Sequence, residues 1–139
     1  ILAKIVKNVP ILGVCVGFQI LFSGSNEHGD CKGLGLIKGN FINFKDESKK
    51  IKVPHVGWNE CKILKKNKLF QDIEDNSDFY FTHSYYLKNY NIENVTTKTM
   101  YNLNFVSSIN MKNIYGVQFH PEKSQLNGLK IIKNFYERC

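Results

Sequence analysis

Apolar residues fall into short blocks separated by polar turns, and the spacing inside each block shifts along the chain. Pro10-Ile11-Leu12-Gly13-Val14 is an apolar run of strand length. Phe18-Gln19-Ile20-Leu21-Phe22 follows almost at once and reads as an amphipathic helix. Residues 23–32 are polar and contain glycine, the composition of a loop. Residues 39–44 alternate polar with apolar, the period of a half-buried strand. Residues 45–50 read as a charged turn, residues 51–53 as strand resumed until Pro54, and residues 60–64 and 79–81 as further strands. Residues 95–101 and 105–110 alternate and predict a hairpin through Asn102-Leu103-Asn104; residues 114–119 form one more strand. Leu126, Leu129, Ile132, Phe135 and Tyr136 recur at spacings of three and four, which predicts a closing amphipathic helix. One β-α unit followed by many short β segments points to an α/β fold with a central mixed sheet.

Length, charge and cysteine usage narrow this picture. A chain of 139 residues is one domain's worth, and it has neither internal repeats nor a linker that would divide it. No run of about eighteen apolar residues and no basic-then-apolar leader suggests insertion into a membrane or secretion. Cys15, Cys31, Cys61 and Cys139 form no C-x-x-C pair and no disulfide-scaffold spacing, as expected of a reduced, cytoplasmic compartment. His28 and Cys31 lie three apart without a second pair, so no zinc site, and no other metal or cofactor, is expected. The net charge is +7. It is almost all lysine, with Arg138 the only arginine, and it is scattered. Lys49-Lys50 with Lys52, and Lys65-Lys66 with Lys68, read as solvated turns. No arginine fork or aromatic-studded basic patch is present to read nucleic acid.

Two short segments carry the chemistry. Leu12-Gly13-Val14-Cys15-Val16-Gly17-Phe18-Gln19 reads as a nucleophile elbow, a cysteine on a sharp strand-to-helix turn with glycines two positions either side. Small neighbours let the two arms approach, and the helix start is expected to favour thiolate over thiol. Far along the chain, Tyr115-Gly116-Val117-Gln118-Phe119-His120-Pro121-Glu122-Lys123-Ser124 delivers a histidine at a strand end, with a carboxylate two residues later. In an extended segment these two side chains project to one side, so Glu122 can orient His120 while His120 serves a nucleophile. Cys15, His120 and Glu122 together supply the nucleophile, base and orienting acid of a triad.

The elbow L-G-V-C-V-G-F-Q and the closing Q-F-H-P-E-K-S resemble the class I glutamine amidotransferases. Gly33-Leu34-Gly35-Leu36-Ile37, Val53-Pro54-His55-Val56-Gly57-Trp58-Asn59, Phe81-Thr82-His83-Ser84-Tyr85 and Ser124-Gln125 with Gly128-Leu129 narrow that resemblance to the glutaminase subunits of imidazole glycerol phosphate synthase. It spans essentially the whole chain. The resemblance implies hydrolysis of glutamine through Cys15, His120 and Glu122, with the ammonia channelled to a (β/α)8-barrel cyclase subunit of histidine biosynthesis. It implies substrate contacts from Gln19, His83, Ser84 and Tyr85. The turn at Gly17 would supply oxyanion N–H groups, together with a glycine-containing loop that precedes the elbow in the family. It places Trp58, Asn59 and Lys123 at the partner interface. Phe18 and Val56 replace methionines usual in the family, and both keep an apolar side chain.

The chain opens at Ile1 with what reads as a helix tail (Leu2, Ile5, Val6), and the elbow arrives within fifteen residues. A parallel α/β sheet needs strands before its central one. Residues 1–139 are therefore expected to form a class I amidotransferase domain lacking its N-terminal strands, with an open sheet edge prone to self-association. Three alternatives to the histidine pathway stay open. One is a paralogue supplying ammonia for N-acetyl-sugar amidation in surface-polysaccharide biosynthesis; the others are a γ-glutamyl hydrolase and a catalytically silent docking module.

Overall fold

The computed structural model describes residues 9–139, so the helix tail expected at Leu2, Ile5 and Val6 lies outside the described residues. β1 (Ile11–Val14) runs into a short helix α1 (Val16–Ile20), followed by β2 (Phe22–Ser25), β3 (Cys31–Lys32) and β4 (Ile37–Asn43). A one-turn helix α2 (Phe44–Glu47) precedes β5 (His55–Ile63), β6 (Ser77–His83) and β7 (Tyr85–Lys88). β8 (Val95–Tyr101), β9 (Leu103–Met111) and β10 (Ile114–Val117) lead to α3 (Gln125–Arg138). A six-stranded sheet runs in the order β1-β10-β9-β8-β5-β6, and a four-stranded sheet in the order β3-β2-β4-β7. In the larger sheet β1 and β10 are parallel and every other neighbouring pair is antiparallel. The expected mixed sheet is present.

Two apolar clusters hold these layers together. One gathers Phe44, Phe70, Phe79, Phe81, Phe105, Phe119 and Ile131; the other gathers Phe18, Phe22, Phe41, Leu87 and Ile109. β10 feeds both by alternation: Ile114 joins the second cluster, and Tyr115 and Val117 join the first. Helix α1 thus covers one side of the large sheet through Phe18, and α3 covers the other through Ile131. Gly116, between the two, is packed so closely that a Cβ there would lie 2.3 Å from the Phe18 ring.

Several expectations need correction. Phe22 begins a strand rather than ending a helix, and the stretch expected to be a polar loop carries β2 and β3. Its polarity reflects a small, half-exposed sheet, whose existence depends on β4 lying alongside. Residues 45–50 include helical turn, because Asn43 and Asp46 form a reciprocal capping box. Residues 51–53 are not strand. β5 starts at His55 and runs unbroken through the segment assigned to the partner surface. The closing helix turns a largely different face inward: Gly128, Ile131 and Asn134 are buried and Phe135 packs against the core as expected, whereas Leu126, Leu129, Ile132 and Tyr136 are exposed. The reason is local. α3 leaves the turn after His120 so closely that a Cβ on Gly128 would sit 1.8 Å from the Pro121 carbonyl oxygen. Asn134 meanwhile donates to the carbonyls of Leu69 and Gln71 at 3.1 and 2.7 Å.

Candidate active site

The parallel pair β1–β10 positions the chemistry. Val14 and Val117 are register partners, so Cys15 and residues 118–120 leave adjacent strands at the same carboxyl ends, where open α/β sheets place their sites. Cys15 bonds back to this frame, its N–H donating to the Val117 carbonyl at 2.9 Å. Its backbone stands at φ 51°, ψ −110°, a region costing about 1–3 kcal/mol for a side-chain-bearing residue. The glycines contribute unequally. A Cβ at Gly13 would fall 2.6 Å from the Gly17 carbonyl oxygen, whereas one at Gly17 would meet nothing within 4 Å. Gly13 lets the arms close, and Gly17 leaves the surface over the elbow open.

The Cys15 thiol is pushed above its ordinary value, first by burial and further by the nearby Glu122 carboxylate. The Val16 backbone, Lys123 and Gln118 act in the opposite direction and do not overcome it. The turn acts in the expected sense through the Val16 backbone, but burial outweighs it. As a thiol, Cys15 directs its S–H at the Thr82 carbonyl 3.8 Å away.

His120 stands beyond the end of β10, anchored by its N–H to the Tyr80 carbonyl of β6 at 2.9 Å. Its Nδ1 meets Glu122 Oε1 at 2.6 Å, as expected. The geometry behind that contact differs from the expectation, because β10 ends at Val117 and Glu122 sits in a 3-10 turn, Pro121–Lys123, rather than in an extended segment. Ser124 fixes the turn, donating from Oγ to the His120 carbonyl at 2.6 Å and accepting from Tyr80 N–H at 2.9 Å. Nε2 of His120 is buried and has no hydrogen-bond partner among the described residues. A carboxylate on one ring nitrogen leaves Nε2 as the nitrogen available to a neighbouring group.

A class I glutamine amidotransferase model matches residues 1–139. The chain belongs to the class I glutamine amidotransferases. It is 53% identical over 135 residues to the imidazole glycerol phosphate synthase subunit HisH of Methanocaldococcus jannaschii, covering 96% of this chain and 67% of that protein. To HisH 1 of Campylobacter jejuni it is 47% identical over 131 residues, covering 94% of this chain and 64% of the relative. The chain thus spans about two thirds or less of the length of these curated relatives. A glutamine amidotransferase structure from Thermotoga maritima shares the fold at TM-score 0.57 and 16% identity, over 97% of this chain and 50% of that one.

Against the residues that the amidotransferase resemblance singles out, the structure is selective. His83 is buried, its Nδ1 on the Tyr85 carbonyl at 2.8 Å and its Nε2 on His55 Nδ1 at 3.0 Å. Both ring nitrogens are thus engaged inside the core. Ser84 is the junction where β6 of the large sheet passes to β7 of the small one, and its carbonyl accepts from Phe44 N–H at 3.1 Å. Tyr85 packs against the second apolar cluster. Gln19 bonds to Gln118 Oε1 at 3.1 Å. Asn59 donates to the Met100 carbonyl at 2.9 Å and reaches His55 Nε2 at 3.3 Å, so its amide is turned inward.

Trp58 is 48% exposed and meets Tyr80 edge-on, ring centroids 5.9 Å apart, while Lys123 Nζ lies 5.8 Å over the Tyr80 ring. Tyr80 was hidden inside what reads as a buried Phe-Tyr-Phe strand. The period of two was the available signal, since Phe79 and Phe81 point inward and Tyr80 points out. Gln118 was missed as well, standing next to a phenylalanine just past an apolar strand although its amide reaches Cys15.

Proposed function

We propose that this chain carries the glutamine-hydrolysing centre of an imidazole glycerol phosphate synthase. The observation that carries the reading is the placement of Cys15 and His120 just past the carboxyl ends of neighbouring parallel strands, with Glu122 on one His120 nitrogen and the other vacant. Relatives named as HisH subunits supply the pathway. Cys15 Sγ adds to the side-chain amide carbon of glutamine as His120 Nε2 takes the thiol proton. The proton passes to the departing nitrogen, ammonia leaves, and a γ-glutamyl thioester remains on Cys15. His120 then takes a proton from water, the hydroxide adds to the thioester, and glutamate leaves as the proton returns to sulfur. Glu122 keeps Nδ1 protonated and steadies the imidazolium through both halves. The Val16 N–H beside the sulfur and the open surface at Gly17 suit an oxyanion.

Ammonia release implies a consumer, which we take to be a cyclase subunit of (β/α)8-barrel type. The exposed Trp58, Tyr80 and Lys123 cluster beside the His120 turn suits such a partner, an aromatic anchor with a cation at its rim. Asn59 supports this face from behind. The test is ammonia release from glutamine by the full-length protein with and without the cyclase and the cyclase's ligand. Strong stimulation by the partner, lost by at least about a thousandfold in Cys15→Ser, is expected. Cys15-dependent hydrolysis that ignores the cyclase would move the chain to a different synthase; no hydrolysis in either condition would overturn the reading.

A further inference from the structure

Besides the Val16 N–H, Cys15 Sγ has two polar neighbours of opposite sense. The Thr82 carbonyl at 3.8 Å accepts the S–H, a contact that exists only in the thiol. The amide Nε2 of Gln118, also at 3.8 Å, donates to the sulfur, a contact that strengthens when the sulfur carries charge. Gln118 is 1% exposed and cannot turn freely. Its Oε1 accepts from Gln19 Nε2 at 3.1 Å, which leaves its own N–H groups for the sulfur.

We propose that Gln118 is a positioning residue that holds the Cys15 sulfur through its amide N–H and favours the thiolate, and that Gln19 acts through Gln118 by fixing which way that amide faces. The role answers a need of this site, because burial opposes ionisation of the thiol and a fixed neutral donor offsets burial without bringing in a charge. It also gives Gln19 a task beside any contact with glutamine. The consequence for turnover rests on the glutaminase reading, whereas the titration of the thiol does not.

The test is the pH dependence of Cys15 alkylation by iodoacetamide in the full chain, followed on the Cys15 peptide by mass spectrometry, for wild type, Gln118→Leu, Gln118→Glu and Gln19→Leu. At pH 8 the rate is expected to fall about three- to tenfold in Gln118→Leu, and by a smaller factor of about two to five in Gln19→Leu. The midpoint moves upward in both and the high-pH plateau is unchanged. Gln118→Glu, nearly identical in shape but bearing a carboxylate, moves the midpoint furthest. A merely structural role would change the plateau or the melting temperature and leave the midpoint in place. An unmoved midpoint in folded Gln118→Leu and Gln19→Leu overturns the proposal; should Gln118→Leu not fold, an unmoved midpoint in Gln19→Leu overturns it alone. Shifted midpoints in a protein that does not hydrolyse glutamine would keep the positioning role and sink the glutaminase reading.

Discussion

His83 and His120 both follow from motifs that the sequence displays, and they lie near enough that charge on His120 disfavours charge on His83. Their surroundings prepare them for opposite tasks. His83 is buried among Phe44, Phe81 and Phe105, with each ring nitrogen held by an internal partner. His120 keeps one nitrogen on Glu122 and the other vacant. Residue type is the same in both, so reactivity here is decided by which nitrogen the fold leaves unused. The sharpest way to break the comparison is to delete each ring. In the full-length protein His120→Asn is expected to lower glutamine hydrolysis by about 10²–10⁴-fold, the range of a lost general acid–base group. His83→Phe, measured per mole of folded protein by the same glutamate assay, is expected to lower it by less than about tenfold. Equal losses in the two variants would refute the distinction.

A smaller effect sharpens the His120 side. Glu122 is more than half exposed, so water screens its charge, but its 2.6 Å contact fixes the tautomer. Glu122→Gln keeps the shape and loses the charge. A drop of about 10- to 100-fold in kcat with little change in KM is expected, the scale of one charge-assisted hydrogen bond. A change in KM alone would mean that Glu122 touches substrate instead of orienting His120.

The parts of the site legible in the sequence were those set by local geometry. Cys15 is defined by the apolar run before it and the helix start after it, and His120 and Glu122 are two positions apart in one turn. The mixed sheet was legible for the same reason, since period-two blocks survive whatever pairs with them. What depended on distant partners was not. His83 faces His55 because β5 and β6 pair in that register, and Asn59 turns inward because β8 offers the Met100 carbonyl. Neither pairing leaves a mark in the motifs P-H-V-G-W-N or H-S-Y. The face of α3 was misjudged because hydrophobic spacing is only a proxy for burial. Gly128 and Asn134 are poor apolar residues, yet close approach to Pro121 and two backbone carbonyls seat them inside.

The smallest and most specific effect concerns the buried pair. Burial holds His55 down to about 4 and His83 down to about 3, against an ordinary 6.5. A compatible arrangement of protons runs one way: His83 Nδ1–H to the Tyr85 carbonyl, His55 Nδ1–H to His83 Nε2, and the Asn59 amide to His55 Nε2. Both rings are neutral in that chain. Between pH 6.5 and 4 the unfolded protein takes up protons at these positions and the folded protein does not, so stability is complete above about pH 6.5 and falls as the pH drops through that window. Urea midpoints measured from pH 7 to 4.5, above the range where most carboxylates titrate, are expected to decline in wild type and to decline less in the double variant His55→Phe with His83→Phe. At pH 7 the single variant His83→Phe is expected to lose about 1–3 kcal/mol, because it orphans the Tyr85 carbonyl and His55 Nδ1 together. Parallel pH slopes for wild type and double variant would mean that the pair takes up protons while folded. The contrast with His120 would then rest on position alone rather than on protonation.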